Sequence, residues 1–290
     1  MLLFVALVST SFTVGARISP SLDPVALTFV RFVLAATVFA AICLVGRAKL
    51  RLPGPRDCLR YGWLALLLVV YFTTMFEALR LSSAFSVGVV FTFAPLFTAV
   101  VSLVVLRQQL SIAQWLALLV AGLGSLWVVS GANWQQLINL SFGPGEQIFV
   151  FGTLAYASYA PSVRLLNNGE NLLSLTLWTT LFGALMLAVY GFQTIQAVQW
   201  SELEFNVWLG IIHLVVACTV TTFYLIQYAS LRLPSAKVMA YVYLTPVCVA
   251  VYEALLGAAW PQASVWAGVV LVLLAMMMLQ LVLRDRPSAN

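Results

Sequence analysis

Residues 240–250 read AYVYLTPVCVA, and residues 89–99 read VVFTFAPLFTA. Both stretches are uncharged and apolar, and each carries a proline near its middle, Pro246 and Pro95. Proline has no backbone N–H, and its ring clashes with the carbonyl four residues before it, so it interrupts an apolar helix at that point. Two apolar helices interrupted in the same way indicate that the chain contains two related parts.

The composition indicates that the solvent of this chain is lipid. Its 290 residues are 63% hydrophobic and 8% charged, with a mean hydropathy of +1.03. A soluble domain has about 25% charged residues, and a fold of this length cannot hide so much apolar surface from water. We therefore expect a polytopic, all-α membrane protein.

Ten apolar segments, which we number spans 1 to 10, are separated by polar breaks. Each has 15 to 25 residues, a length that suits one crossing of a bilayer. Span 1 has no basic residues before it, so we interpret it as a membrane span and not as a secretory signal. The segments cover about 2–16, 25–46, 59–79, 84–106, 111–130, 147–164, 172–192, 206–230, 235–257 and 263–283.

The basic residues predict the orientation of these spans. If the chain begins in the cytoplasm, eleven of its fourteen Lys and Arg residues fall on the inner side, and only Arg17 and Arg80 fall in outer loops. This asymmetry follows the positive-inside rule and predicts that both termini are cytoplasmic. The eleven are Arg47, Lys49, Arg51, Arg56, Arg60, Arg107, Arg164, Arg232, Lys237, Arg284 and Arg286.

The two proline-containing spans belong to an internal repeat. Residues 78–100, ALRLSSAFSVGVVFTFAPLFTAV, align with residues 230–251, SLRLPSAKVMAYVYLTPVCVAV, with a gap of one residue. The Leu-Thr pair at 27–28 also matches the Leu-Thr pair at 175–176. The chain is therefore predicted to consist of two five-span halves.

The register of the repeat continues beyond the prolines. Pro95 and Trp115 are 20 residues apart, as are Pro246 and Trp266. Because five is odd, the second half enters the membrane from the opposite side, which makes the halves an inverted-topology repeat. Such repeats place the substrate site near the midplane, where the halves meet.

We accordingly predict two five-helix units, residues 1–135 and 136–290, around a central cavity. A helix interrupted within the bilayer exposes backbone carbonyls, which is tolerated only beside protein or a water-filled cavity. Pro95 and Pro246 are therefore predicted to mark the cavity and to act as hinges near it.

This pattern resembles the ten-span, EamA-type branch of the drug/metabolite transporter superfamily. The resemblance covers the whole chain and includes an R-L-x-S-A motif that enters spans 4 and 9. Within the superfamily, SYAPSVRLL, VYLTP and VGVVFTFAP are most similar to the YddG-type aromatic amino-acid exporters. The resemblance implies a secondary transporter that exports small amphipathic solutes, with amino acids as the expected class, by alternating access.

Aromatic and polar side chains far from the span ends are the candidates for contact with the solute. Tyrosine offers a flat apolar face together with one hydroxyl group, a mixture that suits an amino acid. The alternative is that these rings only pack between helices. The predicted substrate-binding residues are Tyr71, Thr74, Phe91, Tyr156, Tyr159, Tyr224, Gln227 and Tyr243.

Few charged residues lie within the spans. Arg31, Glu77 and Glu253 are each within about two turns of a span end, where a charged side chain can snorkel to the surface, and Glu77 is spaced to pair with Arg80. His213 is the deepest titratable group in this interpretation. We regard His213 and Glu253 as candidates for contact with the solute or with a proton. Since no carboxylate lies at the midplane, we expect facilitated diffusion.

Other functions stay open at this point. A proton-coupled exporter of drugs or lipophilic cations is the first alternative, and a passive channel is the second. An intramembrane enzyme would need a nucleophile with a base or a cluster of His and carboxylate ligands, and the chain has a single histidine. We expect no metal, cofactor or nucleic acid to bind, and the solute and membrane lipid to be the partners. We also expect a monomer in a bacterial-type inner membrane.

Overall fold

The computed structural model is helical in all ten predicted spans. It describes residues 1–46, 52–82, 84–139, 143–257, 260 and 262–282, and no strand occurs in these ranges. The prediction of an all-α membrane fold is confirmed. Five of the basic residues used to predict the orientation lie outside the described residues, namely Arg47, Lys49, Arg51, Arg284 and Arg286.

Each half contributes five spans, and three of the ten spans consist of two helices. Spans 1 to 5 are Leu2–Ile18, Pro24–Val45, Pro55–Leu81, Ala84–Phe91 with Ala94–Val105, and Ile112–Val129. Spans 6 to 10 are Pro144–Leu166, Leu172–Tyr190, Phe205–Val215 with Thr222–Arg232, Ser235–Ala240 with Thr245–Leu255, and Ala263–Val282. Two short helices, Trp134–Ile138 and Phe192–Ala197, lie between spans.

The lengths of these helices suit a bilayer. In the described part of the chain, seven segments are long and apolar enough to cross a membrane, and spans 5 and 10 contain shorter apolar helices. Span 6 has 23 residues and carries Glu146 and Arg164 near its ends. At 1.5 Å per residue, a helix of this length also exceeds a hydrocarbon core of about 30 Å.

The local sequence explains where several spans begin. Pro24, Pro55 and Pro144 are the first residues of spans 2, 3 and 6, where the missing N–H of proline breaks no helical hydrogen bond. Asp23 caps span 2 by accepting a hydrogen bond from the backbone N–H of Val25 at 2.8 Å. These signals set the ends of the loops and thereby the register of each span in the bundle.

Spans 4 and 9 are both interrupted at their prolines, as predicted. The first helix of span 4 ends at Phe91, and Pro95 lies in the first turn of the second helix. In span 9 a 3₁₀ segment, Tyr241–Leu244, separates the two helices, and Pro246 again lies in the first turn of the second. The proline thus starts a new helix in each half, where its missing N–H is harmless.

The packing of the spans follows the inverted repeat. Span 3 packs on span 6, and span 8 packs on span 1, which is the same pair with the halves exchanged. Span 4 packs on span 6 and span 9 on span 1 in the same manner, while spans 2 and 7, and spans 5 and 10, pack on their own repeat partners. A pseudo-two-fold axis that lies in the membrane plane produces this exchange of partners.

The backbones of spans 5 and 10 approach each other closely at two glycines. A Cβ atom added to Gly124 would lie 2.9 Å from the carbonyl oxygen of Gly268, and one added to Gly268 would lie 2.8 Å from that of Gly124. Small residues allow membrane helices to approach in this way.

Two features of the helices do not follow from the repeat. Span 8 contains a π-helical turn at Val216–Thr221, and such turns are often found at functional sites. Pro161 lies inside span 6, yet that helix is continuous. A proline alone therefore does not identify an interrupted span.

Candidate functional site

A cavity of about 300 Å³ lies between spans 1, 4, 5 and 9. We call the side on which span 1 begins the N-terminal side and the opposite side the far side. Ala16, Gly88 and Val128 lie toward the far-side ends of their spans, so the cavity occupies the far half of the bundle. Its lining consists of Phe12, Thr13, Ala16, Gly88, Phe91, Val128, Thr245, Pro246, Val249, Ala250 and Glu253.

Three polar side chains are placed on this largely apolar wall. The hydroxyl groups of Thr13 and Thr245 are buried and have no hydrogen-bond partner among the described residues. Glu253 is partly exposed, and no described Lys or Arg lies within ion-pair distance of it. Unpaired hydroxyl groups and a carboxylate together can accept hydrogen bonds from an ammonium group.

An aromatic cluster, formed by Phe12, Tyr71, Phe91, Phe149 and Tyr156, closes the inner end of the cavity. The ring centroids of Phe12 and Phe91 are 5.1 Å apart, and Phe91 stacks on Tyr71 at 5.9 Å. Tyr71 in turn stacks on Tyr156 at 4.3 Å. Phe12 and Phe91 also line the cavity, so the cluster connects the cavity with the middle of the bundle.

Beyond the cluster lies a void of about 10 Å³, which we call the axial void, between spans 1, 3, 6 and 8. The repeat exchanges span 1 with span 6 and span 3 with span 8, so both members of each exchanged pair border this void. Its lining includes Tyr71, Tyr156, Ser11, Cys218 and Thr222. The volume matches about one water molecule. A larger solute reaches this place only if the surrounding spans move.

The N-terminal half of the bundle is closed by a buried hydrogen-bond network. Gln227 donates to the hydroxyl oxygen of Tyr159 at 2.7 Å, and the hydroxyl group of Thr176 donates to the side-chain oxygen of Gln227. These residues come from spans 6, 7 and 8, and each side chain is fully buried. A satisfied network of this kind holds three helices together.

A second layer closes the surface on the N-terminal side. Arg60 pairs with Glu170 at 2.7 Å, and its Nε donates to the carbonyl oxygen of Leu166 at 2.7 Å. The indole N–H of Trp63 donates to Ser162 at 3.1 Å. Both contacts tie the start of span 3 to the end of span 6. We refer to this layer and the Gln227 network together as the N-terminal seal.

The predicted site residues fall into these regions. Phe91, Pro246 and Glu253 line the cavity, Tyr71 and Tyr156 line the axial void, and Tyr159 and Gln227 belong to the N-terminal seal. Pro95 lies beside the interruption of span 4.

Three further predicted residues lie next to these regions. The hydroxyl group of Thr74 donates to the carbonyl of Val70 in its own helix at 2.6 Å. Tyr243 is fully buried and packs against the backbone of Gly122. His213 shares a hydrogen bond of 2.8 Å with Thr10 of span 1.

Tyr224 does not lie with the other predicted residues. Its side chain is 37% exposed on the outside of the bundle and stacks on Tyr228 at 6.3 Å. Gln227, three residues further along the same helix, is fully buried. Residues three apart on an α-helix differ by about 60° in direction, so Gln227 lies within the buried stripe of span 8 while Tyr224 lies at its outer edge.

The prediction that Arg31 snorkels is also wrong. Its side chain is completely buried and donates to Thr219 of the π-helical turn at 2.9 Å. The guanidinium lies 4.4 Å from the ring centroid of Phe72 and 5.3 Å from that of Phe76. Arg31 is therefore more fully buried than His213, which is partly exposed. The sequence contained a signal for this residue, since an arginine seven residues inside an apolar span is by default a candidate for a functional role.

The fold and the cavity define an integral membrane protein whose two inverted halves enclose a site that is closed on one side. The sequence pattern of the EamA-like transporter family matches residues 1–130 and 143–281. The chain therefore belongs to the EamA-like transporter family, within the drug/metabolite transporter superfamily. This membership indicates a transporter.

Individual proteins agree with the family match. The uncharacterized transporter YyaM of Bacillus subtilis (strain 168) is 26% identical over 183 residues, which cover 61% of this chain and 59% of that protein. A solved crystal structure of a protein shares 19% identity and superimposes with a TM-score of 0.76 over 98% of both chains. At this identity the likeness shows that the fold is shared.

Proposed function

We propose that this protein is a secondary transporter that exports small amphipathic solutes, specifically aromatic amino acids, in the manner of the YddG-type exporters. The observation that carries the proposal is the cavity that ends at the aromatic cluster while the N-terminal seal closes the other side. A site accessible from one side and sealed from the other is what alternating access requires. A continuous channel would need a polar path through both sides.

The chemistry of the cavity supports an amino acid as the solute. Glu253 and the unpaired hydroxyl groups of Thr13 and Thr245 supply acceptors for an ammonium group. Phe12 and Phe91 supply ring faces for an aromatic or aliphatic side chain. A volume of about 300 Å³ lies at the lower end of the range for small-molecule sites.

We further propose that the N-terminal side is cytoplasmic and that the protein acts as a monomer in an inner membrane. The cavity then faces outward, which is the state that follows release of an exported solute. The units 1–135 and 136–290 rock about the axial void, and the interruptions beside Pro95 and Pro246 absorb the bending. Movement without a carboxylate at the midplane fits facilitated diffusion.

Transport by purified protein in liposomes tests this proposal. We expect saturable uptake of radiolabelled phenylalanine, stimulated by unlabelled phenylalanine inside the liposomes, with equal pH on both sides. A competition panel of amino acids and lipophilic cations then ranks the solutes. Uptake that does not saturate, or that lacks counterflow stimulation, contradicts a carrier.

The second candidate is a proton-coupled exporter of lipophilic cations, which the carboxylate of Glu253 in the cavity favours. The two candidates differ in the Glu253→Gln variant. Facilitated diffusion predicts that Glu253→Gln still shows counterflow of phenylalanine at equal pH. Its affinity for phenylalanine should be about tenfold weaker than that of the wild type, which is the value of one charged hydrogen bond. Strict dependence of wild-type uptake on a pH gradient, abolished in Glu253→Gln, would support proton coupling instead.

A further inference from the structure

Arg31 is a cation without a counter-ion in the interior of the bundle. Its side chain is completely buried, and Nη2 donates to Thr219 at 2.9 Å. Nε and Nη1 have no hydrogen-bond partner among the described residues, and no described carboxylate lies within ion-pair distance. A buried charge of this kind is costly unless an opposite charge joins it.

The surroundings of Arg31 stabilise the charge only in part. The rings of Phe72 and Phe76 offer cation–π contacts, but they leave the N–H groups unsatisfied. His213 and Cys218 lie within Coulombic range of the guanidinium, and neither supplies an anion as a neutral imidazole or thiol.

The repeat shows that the architecture does not demand a cation at this position. The match of residues 27–28 with 175–176 places Arg31 opposite Thr179 in the second half. Thr179 is also completely buried, and it satisfies its hydroxyl group by donating to the carbonyl of Leu175 at 2.7 Å. A small neutral residue therefore suffices for packing between equivalent spans.

Arg31 is close to the path that leads inward from the cavity. Phe91 lines the cavity and stacks on Tyr71, while Tyr71 and Phe72 line the axial void. Phe72 also carries the Arg31 guanidinium on its ring. A solute that displaces Phe91 at the interruption of span 4 would thus approach the unpaired N–H groups of Arg31.

We propose that Arg31 binds the carboxylate of the transported solute when the solute occupies the middle of the bundle. This inference rests on the proposed function and adds to it a second charged group that binds the solute. Glu253 and the cavity hydroxyl groups receive the ammonium group while the solute is in the cavity, and the guanidinium receives the carboxylate through N–H donors that Thr219 leaves free once the solute has moved past Phe91. Arg31 then selects zwitterions over amines that share the same ring.

Equilibrium binding to purified protein in nanodiscs tests the assignment. The two probes are L-phenylalanine and its carboxamide, which differ in the carboxylate alone, and tryptophan fluorescence reports binding. We expect the wild type to prefer the amino acid by at least about tenfold, the value of a charged hydrogen bond. In Arg31→Gln this ratio should fall to about 1, because the variant loses the contact with the carboxylate and keeps the contacts with the ring.

Matched variants separate recognition from folding. Arg31→Lys keeps the charge but loses the fork of donors, so its ratio should fall by about threefold or more. Arg80→Gln removes an exposed cation at the end of span 3 and should keep the wild-type ratio. If Arg31→Gln cannot be purified as a monodisperse protein, Arg31→Lys decides. The assignment is overturned if the preference for phenylalanine over its carboxamide is unchanged in Arg31→Gln, or in Arg31→Lys where that variant replaces it. An equal loss of affinity for both probes also overturns it.

The remaining outcomes identify other causes. Thermal stabilisation of the wild type by chloride over gluconate that disappears in Arg31→Gln, with the probe ratio unchanged, assigns the site to an inorganic anion and overturns the proposal. A wild type that binds neither probe contradicts the proposed function and the carboxylate assignment together. If the wild type and Arg31→Gln prefer the amino acid to the same degree, the assignment of Arg31 is contradicted, but the proposed function is not.

Discussion

The two sides of the bundle are built from equivalent spans, yet they are packed differently. On the N-terminal side, Thr98 of span 4 donates to the carbonyl of Ala157 in span 6 at 2.9 Å, within the region that the seal closes. The exchanged pair consists of spans 9 and 1. The hydroxyl group of Ser9 in span 1 donates to the carbonyl of Thr245 in span 9 at 3.3 Å. Toward the far side, the same two spans border the cavity. In the proposed mechanism these two sides are the alternative gates, and this structure closes the one on the N-terminal side.

A small number of polar contacts distinguishes the two sides on an otherwise similar apolar frame. Arg60, Glu170 and Gln227 hold the N-terminal side, and Glu253 on the far side has no described cationic partner. Since the helix pairs are related by the repeat, breaking contacts on one side should favour the opposite opening.

The largest expected effect is on the hinges that both gates share. In Pro95→Ala or Pro246→Ala the interrupted span can become continuous, since alanine is favoured over proline in a helix by about 3 kcal/mol. We expect phenylalanine flux in liposomes to fall by about tenfold or more, because a stiffened span opposes the change of state. Binding of phenylalanine should change by less than about threefold.

Pro161 provides a matched control, because it lies in a continuous helix. Pro161→Ala should leave the flux within about twofold of the wild type, since no interruption is removed there. Equal flux in all three variants and the wild type would contradict the hinge assignment.

A smaller effect is expected at the N-terminal seal. Glu170→Gln removes the carboxylate that pairs with Arg60, a pair whose side chains are only 12% and 16% exposed. The loss of about 1 kcal/mol should increase the population open on the N-terminal side by about fivefold. Cysteine at position 162, introduced after the native cysteines are replaced, should then react faster with a thiol reagent added on that side.

Glu77 gives the control for this experiment, since its partner Arg80 is three residues away on the far side. Glu77→Gln removes a carboxylate from an exposed pair without touching the seal. The same increase in labelling for Glu77→Gln and Glu170→Gln would show that the seal is not the cause.

The smallest effect is expected for Tyr224, which lies on the outside of the bundle. Tyr224→Leu should change the affinity for phenylalanine by less than about twofold, as expected for a surface substitution. Tyr156→Leu, which removes a ring from the aromatic cluster, should weaken binding by about tenfold. Titration of the two purified variants compares them directly, and a reversed order would place the solute outside the cavity described above.

Much of the fold was predictable because lipid imposes strict rules. The length and polarity of each segment predict the spans, since every backbone group in the bilayer must be satisfied within a helix. The alignment of Pro95 with Pro246 predicts the two inverted halves. Tyr71, Tyr156 and Phe91 were predicted as site residues because rings far from span ends exceed what an interface requires, and the structure places them together in the aromatic cluster.

The class of protein, the ten spans, the repeat and the interrupted helices were thus predictable from the amino-acid sequence alone, because they depend on local patterns and on the thickness of a bilayer. The sealed side, the outward position of Tyr224 and the burial of Arg31 became apparent only in the packed fold. Tyr224 and Gln227 differ by only about 60° in direction, and the packing of span 8 against its neighbours decides which of the two is buried. The burial of Arg31 depends on Thr219 and Phe72 from other spans, and such contacts between distant residues exist only once the chain has packed.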